Sequence, residues 1–162
     1  MQRRDCVLLT LAALTAGCAA TGTVSGLAPD TTLIVIRHAE RTGEDLTKRG
    51  RAQARALVGA LDGMPLDAIY SPGIQRNLDT AAPLAAARGM TVERRPAENP
   101  APRLVRESAG RTVLWVGNKG NIAAIWEALA LPDPAPLDYG DLFIVRSDAA
   151  GVMTVTRQSY GL

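Results

Sequence analysis

The only histidine of this chain, His38, stands just after a run of apolar and β-branched residues, Leu33–Ile36, with Arg37 between them. A lone histidine is most simply a hydrogen-bonded residue of the core or the surface. The preceding run predicts a buried central strand, however, and open α/β sheets bind ligands at the carboxyl ends of their strands. His38 and Arg37 are therefore candidate ligand-binding residues.

A second polar cluster, Asn118–Asn121, follows another apolar run, Thr112–Gly117. Both clusters lead towards segments with helical periodicity, and the N–H groups and positive end of a helix N-terminus attract anions. Because the carboxyl ends of parallel strands meet at one edge of a sheet, we expect both clusters to border one pocket that could receive an anion.

Strand signals alternate with helical periods along the part of the chain that must position these clusters. The predicted strands, each a short apolar or β-branched run, are 32–37, 68–71, 90–93 and 112–117. Two further runs, 142–145 and 152–156, flank the turn residues 148–151 and predict an edge hairpin. This order predicts an α/β fold, a three-layer sandwich with a mostly parallel central sheet, helices on both faces and an antiparallel edge hairpin.

Three helices are predicted from apolar residues spaced three or four positions apart. The first has Thr47 as a plausible N-cap, and the second begins near Pro72 and ends at Gly89. The third follows the 112–117 strand. The predicted apolar face of the second helix consists of Ile74, Leu78, Ala81 and Ala85. The segment 94–102 contains three prolines and is predicted to be a surface loop.

The first residues have the pattern of an export signal. A short charged start precedes the uncharged apolar run 6–16, which is too short to span a bilayer stably. The run ends in Leu14–Cys18, which resembles a bacterial lipobox whose cysteine is diacylated. The pair Arg3-Arg4 also resembles a twin-arginine signal, and an uncleaved amphipathic start is the alternative. We predict a signal peptide at 1–17, lipidation at Cys18, a flexible tether at 18–30 and one domain at 31–162.

Composition excludes several classes of function. If Cys6 leaves with the signal and Cys18 is lipidated, no thiol remains for a disulfide, a nucleophile or a thiolate metal site. One histidine then leaves only carboxylates as further zinc ligands, so neither a metal nor another cofactor is expected. Eighteen basic and sixteen acidic side chains are mixed along the sequence, and aromatic residues are few. Nucleic acid is therefore not an expected partner.

Several motifs together resemble the histidine phosphatase superfamily, the phosphoglycerate-mutase-like fold. Arg37-His38-Ala39-Glu40 is similar to the signature of that family, and 46–54 is similar to the opening of its first helix. Ser71-Pro72 with 76–81 resembles the second phosphate-binding element of the family. The ending from Asp138-Tyr139 through 142–145 resembles the close of small exported members. The resemblance covers the chain from about residue 31 to its end.

The resemblance implies that His38 attacks phosphorus and becomes a phosphohistidine. It also implies that Arg37 and Arg76 hold the phosphoryl oxygens, for which the paired donors of a guanidinium are suited. Nearby positive charge would keep His38 neutral and nucleophilic. Three residues separate Pro72 from Arg76 where the family usually has two, so a solvated helix charge is the alternative for Arg76. A surface charge at a strand end is the alternative for Arg37.

The family carries a second histidine where this chain has Asn118, followed by Lys119. An asparagine amide can donate a hydrogen bond to phosphate but brings no charge. Losing one preorganised donor of this kind typically costs about 10²–10³ in rate. We expect Asn118 and Lys119 to contribute to substrate binding; the alternative for Lys119 is that it points to water.

Two acidic positions complete the candidate site. The proton donor for the leaving group is predicted to be Glu98 in the proline-rich segment, with Glu93 and Glu107 as further candidates. Glu40 is a candidate substrate-binding residue, and it could instead only cap or pair with Arg41.

Two functions remain open. The first is a phosphomonoesterase, of full or reduced activity, that acts on a phosphorylated small molecule or phosphoprotein. The second is a catalytically inactive relative that binds a phosphorylated ligand or an envelope partner. A purely structural lipoprotein is a third reading, in which the Arg37-His38 motif has no role. In each case we expect a lipid-anchored protein on the periplasmic side of a bacterial cell envelope.

Overall fold

A computed structural model describes Val24 and residues 26–161 of the chain. The predicted signal peptide and the predicted lipidation at Cys18 lie outside these residues. The predicted tether at 18–30 lies inside them in part, where Leu27 is buried and packs into the core. Packing against the domain therefore starts before residue 31.

The described chain contains the predicted strands and helices in the predicted order, together with a hairpin, 41–46, and a helix, Ala101–Ser108, that were not predicted. The strands are β1 Thr31–Arg37, β2 Arg41–Thr42, β3 Asp45–Leu46, β4 Ala68–Ser71, β5 Val92–Arg94, β6 Thr112–Gly117, β7 Asp141–Ser147 and β8 Met153–Ser159. The helices are α1 Lys48–Ala60, α2 Gln75–Arg88, α3 Ala101–Ser108 and α4 Lys119–Ala128.

Six strands form the central sheet in the order β5-β4-β6-β1-β7-β8. The pairs β1–β6, β4–β6 and β4–β5 are parallel, whereas β7 runs antiparallel to β1 and to β8. The mostly parallel sheet and its antiparallel edge hairpin are thus as predicted. Since β7 is antiparallel, its first residue lies at the same edge as the last residues of β1 and β6, where Ile36 is opposite Leu142.

Helices cover both faces of the sheet, because the side chains of the central strands alternate between two apolar clusters. On one face Ile34 and Ile36 pack with Leu57 of α1 and Leu84 of α2. On the other face Leu33 and Val35 pack with residues of α3 and α4. Burial of apolar side chains on both faces is what makes β1 a continuous hydrophobic run.

Two local predictions were wrong. The segment 94–102 is not a loop to its end, because α3 begins at Ala101. Prolines at the start of a helix are tolerated, since the first turn has no intrahelical partner for their missing N–H. The core face of α2 also differs from the predicted one: Leu78 is only half-buried, whereas Asn77 and Thr80 are fully buried.

A short hairpin, β2–β3, was not predicted. Its two strands pair through Arg41 with Leu46 and Thr42 with Asp45, and Gly43 occupies its turn with a φ of 63°. The hairpin follows His38 directly and leads into α1, whose N-cap is Thr47 as predicted. Its turn therefore lies close to the edge where β1 ends.

Candidate active site

His38 is fixed at the carboxyl edge of β1 by backbone and side-chain contacts. Its N–H donates to the Gly117 carbonyl of β6 at 2.8 Å, and the side chain is nearly inaccessible, at 2 % exposure. The next N–H, that of Ala39, donates to Thr80 Oγ1 at 2.9 Å. The polar face of α2 thus receives the backbone that leaves β1, which is why Thr80 is buried.

The imidazole of His38 is held in one orientation. Its Nδ1 lies 2.9 Å from the Ala39 carbonyl oxygen, and its Nε2 lies 3.3 Å from Nε of Arg76. A carbonyl can only accept a hydrogen bond, so Nδ1 carries the proton and Nε2 presents its lone pair to the Arg76 N–H. The basic nitrogen therefore points to the positively charged side of the site.

The surroundings of His38 strongly favour its neutral form. The pKa of His38 is lowered from 6.5 to about 4, chiefly by burial and to a lesser extent by the charges of Arg37, Arg76 and Arg41, in that order. The hydrogen bond to Ala39 acts in the opposite direction. Positive charge was predicted to keep the ring neutral; it contributes, but desolvation of the buried ring is the larger cause.

Arg76 reaches His38 from the second residue of α2 despite the extra residue after Pro72. Its side chain is 14 % exposed, and its Nη1 donates to Glu44 Oε2 at 2.6 Å. Glu44 lies on the β2–β3 hairpin and is 69 % exposed. Arg76 thus connects the imidazole to a carboxylate that the sequence did not identify, across 32 residues of chain.

Arg37 and Arg41 approach the same edge. The Arg37 Nη1 donates to the Leu137 carbonyl at 3.0 Å, and its guanidinium carbon lies 3.8 Å from the centre of the Tyr139 ring. Arg41 Nη1 donates to the Gly43 carbonyl at 2.5 Å. The Nε atoms of both arginines are buried and have no partner within residues 26–161. Arg41 was missed as a site residue, although its spacing from Arg37 placed it just past the motif.

Asn118 serves as the N-cap of α4. Its Oδ1 accepts from the Asn121 N–H at 3.2 Å, while the Asn118 N–H donates to Asn121 Oδ1 at 3.0 Å. The same Asn121 oxygen accepts from Trp115 Nε1 at 3.1 Å. The side-chain NH₂ of Asn118 is what remains for a ligand. Lys119, the first residue of α4, is exposed.

Glu40 makes contacts within its own loop. It accepts from Thr47 Oγ1 at 2.7 Å and lies 4.0 Å from Arg49, which is the arginine it faces rather than Arg41. Its backbone is held closely as well: Thr47 N–H donates to the Glu40 carbonyl at 3.0 Å, and Gln53 Oε1 accepts from the Glu40 N–H at 3.0 Å. Glu40 therefore ties the chain after His38 to the start of α1.

The predicted proton donor, Glu98, lines a cavity whose described lining does not include His38. Glu98 is exposed, and Tyr70, Trp115 and Arg95 also line this small cavity of about 50 Å³. The two further candidates, Glu93 and Glu107, both form ion pairs with Arg95, at 2.7 and 2.6 Å. Glu44 is the carboxylate that pairs with Arg76, and Arg76 in turn contacts His38.

Within Val24 and residues 26–161, no group of three or more His, Cys, Asp and Glu residues could hold a metal ion. Among these residues there is also no helix of the length and apolar character needed to cross a bilayer.

The comparison with protein families covers the part of the site built by β1, the following motif and α2. Residues 33–99 match the model of the histidine phosphatase superfamily (branch 1), a range that includes Arg37, His38 and Arg76. No significant match is found among curated proteins.

Solved structures share the fold. A mycobacterial glucosyl-3-phosphoglycerate phosphatase with inorganic phosphate is 18 % identical at a TM-score of 0.59, over 82 % of this chain and 97 % of the other. A phosphoserine phosphatase from Entamoeba histolytica, in complex with 3-phosphoglyceric acid, is 18 % identical at 0.61, over 80 % and 96 %. A candidate phosphohistidine phosphatase, SixA, from Agrobacterium tumefaciens is 20 % identical at 0.58, over 80 % and 98 %.

The sequence match covers the strand, motif and helix that build the His38–Arg76 contact, and the fold continues that likeness through the rest of the domain. Residues 33–99 of this chain thus match the model of the histidine phosphatase superfamily, and the described domain shares its fold with these solved phosphatase structures.

Proposed function

We propose that the chain is a phosphomonoester hydrolase whose nucleophile is Nε2 of His38. The observation that carries the proposal is the orientation of the imidazole, with Nδ1 on the Ala39 carbonyl and Nε2 beside the Arg76 guanidinium. An imidazole that keeps its proton on Nδ1 can attack phosphorus through Nε2 without first losing a proton. The low pKa of about 4 keeps it in that form at neutral pH.

The charges around His38 suit a phosphoryl group. Arg37, Arg41 and Arg76 are the cations that lower its pKa, and two of them have a buried Nε without a partner within the described range 26–161. Buried N–H groups are normally hydrogen-bonded, and a phosphate offers several acceptor oxygens. Fixed cations would also stabilise the charge on the oxygens as phosphorus is transferred.

The reaction takes two steps. First, a bond forms between Nε2 and phosphorus as the ester P–O bond breaks, and the departing oxygen takes a proton from solvent. The positive charge that develops on the ring is stabilised by the Nδ1–H bond to the Ala39 carbonyl, at 2.9 Å. Second, water attacks phosphorus and gives one proton back to solvent, the P–N bond breaks, and inorganic phosphate leaves with the neutral imidazole restored.

We propose that Asn118 lowers the rate of this reaction. Its Oδ1 is engaged by the Asn121 N–H, so a neutral NH₂ is what it can offer a phosphate oxygen. A histidine at this position, as in the family, could add positive charge. Replacing a charged donor with this neutral one would cost up to about 10²–10³ in rate.

The Asn118 cap also supports an alternative function, namely binding of a phosphorylated ligand without turnover. The arginines would hold the anion in the same way, and His38 would remain a buried neutral base. The two functions differ in whether a covalent phosphohistidine forms.

The substrate is proposed to be a phosphorylated small molecule or a phosphoprotein. The similar glucosyl-3-phosphoglycerate and phosphoserine phosphatases support a phosphorylated substrate in general terms. Because Glu98 lines a cavity whose lining does not include His38, an aryl phosphate is the appropriate first probe. Its phenoxide leaving group depends little on protonation.

The test is hydrolysis of ³²P-labelled p-nitrophenyl phosphate by the purified domain. The reaction is stopped rapidly without acid, and the ³²P bound to the protein is measured. We expect slow turnover and an acid-labile, base-stable phosphoprotein, both lost in His38→Ala. Turnover that survives in His38→Ala would refute the nucleophile. Phosphate binding with neither turnover nor a phosphoprotein would favour the binding function.

We propose further that the protein is exported and anchored through a lipid on Cys18, on the periplasmic side of the envelope. The support is the sequence pattern of residues 1–18. Cys18→Ser should abolish incorporation of labelled palmitate and release the protein to the soluble fraction, and Cys6→Ser should change neither. Equal labelling of the parent and Cys18→Ser would contradict the anchor.

A further inference from the structure

The segment between α4 and β7 ends in a tyrosine that contacts both motif residues. The Tyr139 ring covers the Arg37 guanidinium at 3.8 Å and lies 5.8 Å from the imidazole of His38, centre to centre. Tyr139 is half-buried. It reaches this place because β7 is antiparallel to β1, so the residues just before Asp141 arrive where β1 ends.

The backbone on both sides of Tyr139 is fixed. The Asp138 N–H donates to Asp141 Oδ2 at 3.0 Å, and the Gly140 carbonyl accepts from the Tyr160 N–H at 2.8 Å. On the near side, the Leu137 carbonyl accepts from Arg37 itself at 3.0 Å. The ring is thus presented to Arg37 by a segment whose own hydrogen bonds determine its position.

An aromatic ring face and a carboxylate hold a guanidinium in different ways. The ring attracts the charge through its quadrupole and covers one face of the plane, but it accepts none of the in-plane N–H groups. Arg76, in contrast, gives its Nη1 to Glu44 at 2.6 Å. Arg37 therefore keeps its charge and its remaining donors available for an anion, and its Nε is buried without a partner in the described part of the chain.

We propose that Tyr139 is a positioning residue for the substrate phosphate: its ring fixes the Arg37 guanidinium beside His38 and leaves free the Arg37 donors that Leu137 does not engage. This inference rests on the proposed function. It assigns a role to Tyr139 of the Asp138-Tyr139 motif. This motif is far from Arg37-His38 in sequence, and the fold brings the two into contact. The ring face, and not the hydroxyl, carries the role.

The test compares Tyr139→Phe, which keeps the ring face, with Tyr139→Leu, which removes it. Cation–π contributions correspond to roughly 3- to 30-fold in an equilibrium constant. We expect Tyr139→Leu to weaken the binding of inorganic phosphate, measured by calorimetry, and to raise KM for p-nitrophenyl phosphate by that factor. The value of kcat should change less, because the same contact holds phosphate in the ground state and the transition state. Tyr139→Phe should stay within about twofold of the parent.

A double-mutant cycle separates positioning from general damage to the fold. In an Arg37→Met background the guanidinium is absent, so Tyr139→Leu should add little to the loss of phosphate affinity. Thermal unfolding of each variant verifies that it is folded. If a folded Tyr139→Leu binds phosphate as the parent does, or if Tyr139→Phe loses as much affinity as Tyr139→Leu, the role assigned to the ring is wrong. A parent protein that neither binds phosphate nor hydrolyses the ester refutes the proposed function instead.

Discussion

Arg76 joins Glu44 to His38: its Nη1 is 2.6 Å from the Glu44 carboxylate and its Nε is 3.3 Å from the imidazole Nε2. Without phosphate, the carboxylate of an exposed hairpin occupies a donor that a phosphate clamp needs. An incoming phosphate must displace it. Displacement is inexpensive, because an exposed ion pair contributes only about 0.2–1 kcal/mol.

We therefore predict that Glu44→Gln tightens the binding of inorganic phosphate by up to about fivefold, since the competing charge is removed. Calorimetric titration at low ionic strength measures the dissociation constant. Asp45→Asn is the matched control, because it removes the neighbouring charge of the same hairpin but not the contact with Arg76, and should have a smaller effect. Unchanged or weaker phosphate binding in Glu44→Gln would rule out competition.

His38 should titrate far below an ordinary histidine. Because it is the chain's only histidine, the ring resonances of protein purified without a histidine tag need no assignment. We expect an NMR titration to give a pKa of about 4 in the folded protein, and a return towards 6.5 in urea. A folded-state pKa near 6.5 would contradict the burial and charge environment described for the ring.

The same shift makes stability depend on pH. The folded state holds the imidazole neutral, so between pH 6.5 and 4 the unfolded chain binds more protons, and stability falls as the pH decreases through this window. The contribution of His38 is fully present above pH 6.5 and is of the order of 3 kcal/mol. Urea unfolding at pH 7 and pH 4.5 measures it. The difference in unfolding free energy between the two pH values should be smaller in His38→Asn. An equal difference would show that other groups cause the effect.

The backbone after His38 depends on a close approach at Gly50. A Cβ at this position would lie 1.9 Å from the Glu40 carbonyl oxygen, whereas a Cβ on Gly59 of the same helix would contact nothing within 4 Å. We predict that Gly50→Ala destabilises the protein by roughly 2–3 kcal/mol and lowers activity, because Glu40 must move. Gly59→Ala should stabilise it by roughly 0.5–1 kcal/mol through helix propensity. Chemical unfolding compares the two; similar effects would contradict the clash.

Asn118 has a structural and a proposed chemical role that substitutions can separate. Asp is also a good N-cap, so Asn118→Asp should keep the stability of α4 while its negative charge lowers phosphate binding at least about tenfold. Asn118→His should lose about 1 kcal/mol of cap energy and raise kcat, because it adds an ionisable donor at the candidate site. Unfolding curves and aryl phosphate kinetics report the two effects. Normal phosphate affinity in Asn118→Asp would place residue 118 outside the phosphate site.

Much of the architecture was predictable, because it follows from local patterns. The apolar runs of β1 and β6 predict buried strands. Thr47 and Gly89 predict a helix start and a helix end, and the structure has them at those residues. The whole of α3 was missed, because two prolines flank its start and a proline-rich segment resembles a loop in sequence.

The core face of α2 shows why hydrophobic pattern alone was insufficient. Asn77 and Thr80 are buried because they satisfy backbone groups at the strand ends: Asn77 Nδ2 donates to the Val116 carbonyl at 3.1 Å, and Thr80 Oγ1 accepts from Ala39. A buried polar residue that serves a distant backbone looks like a solvent-facing one in sequence. Its burial is decided by the tertiary structure.

Some residues of the candidate site were predictable from the sequence and others were not. His38 and Arg37 were predictable from their position after a strand, and Arg76 from its place in a motif. Glu44 and Tyr139 were not, since their contacts span long stretches of chain and depend on a short hairpin and on the direction of β7. Glu98 was chosen by position along the chain, whereas the fold directs its segment to another cavity.

The reversal of β7 has a consequence for how this small domain could diversify. In a wholly parallel sheet, segments that precede a strand emerge at the edge opposite the ligand site. Here the residues before Asp141 are delivered to the edge that carries His38. Side-chain substitutions there can reshape access to the proposed site as long as the carbonyls of Pro132 and Leu137, which accept from Trp126 and Arg37, keep their places.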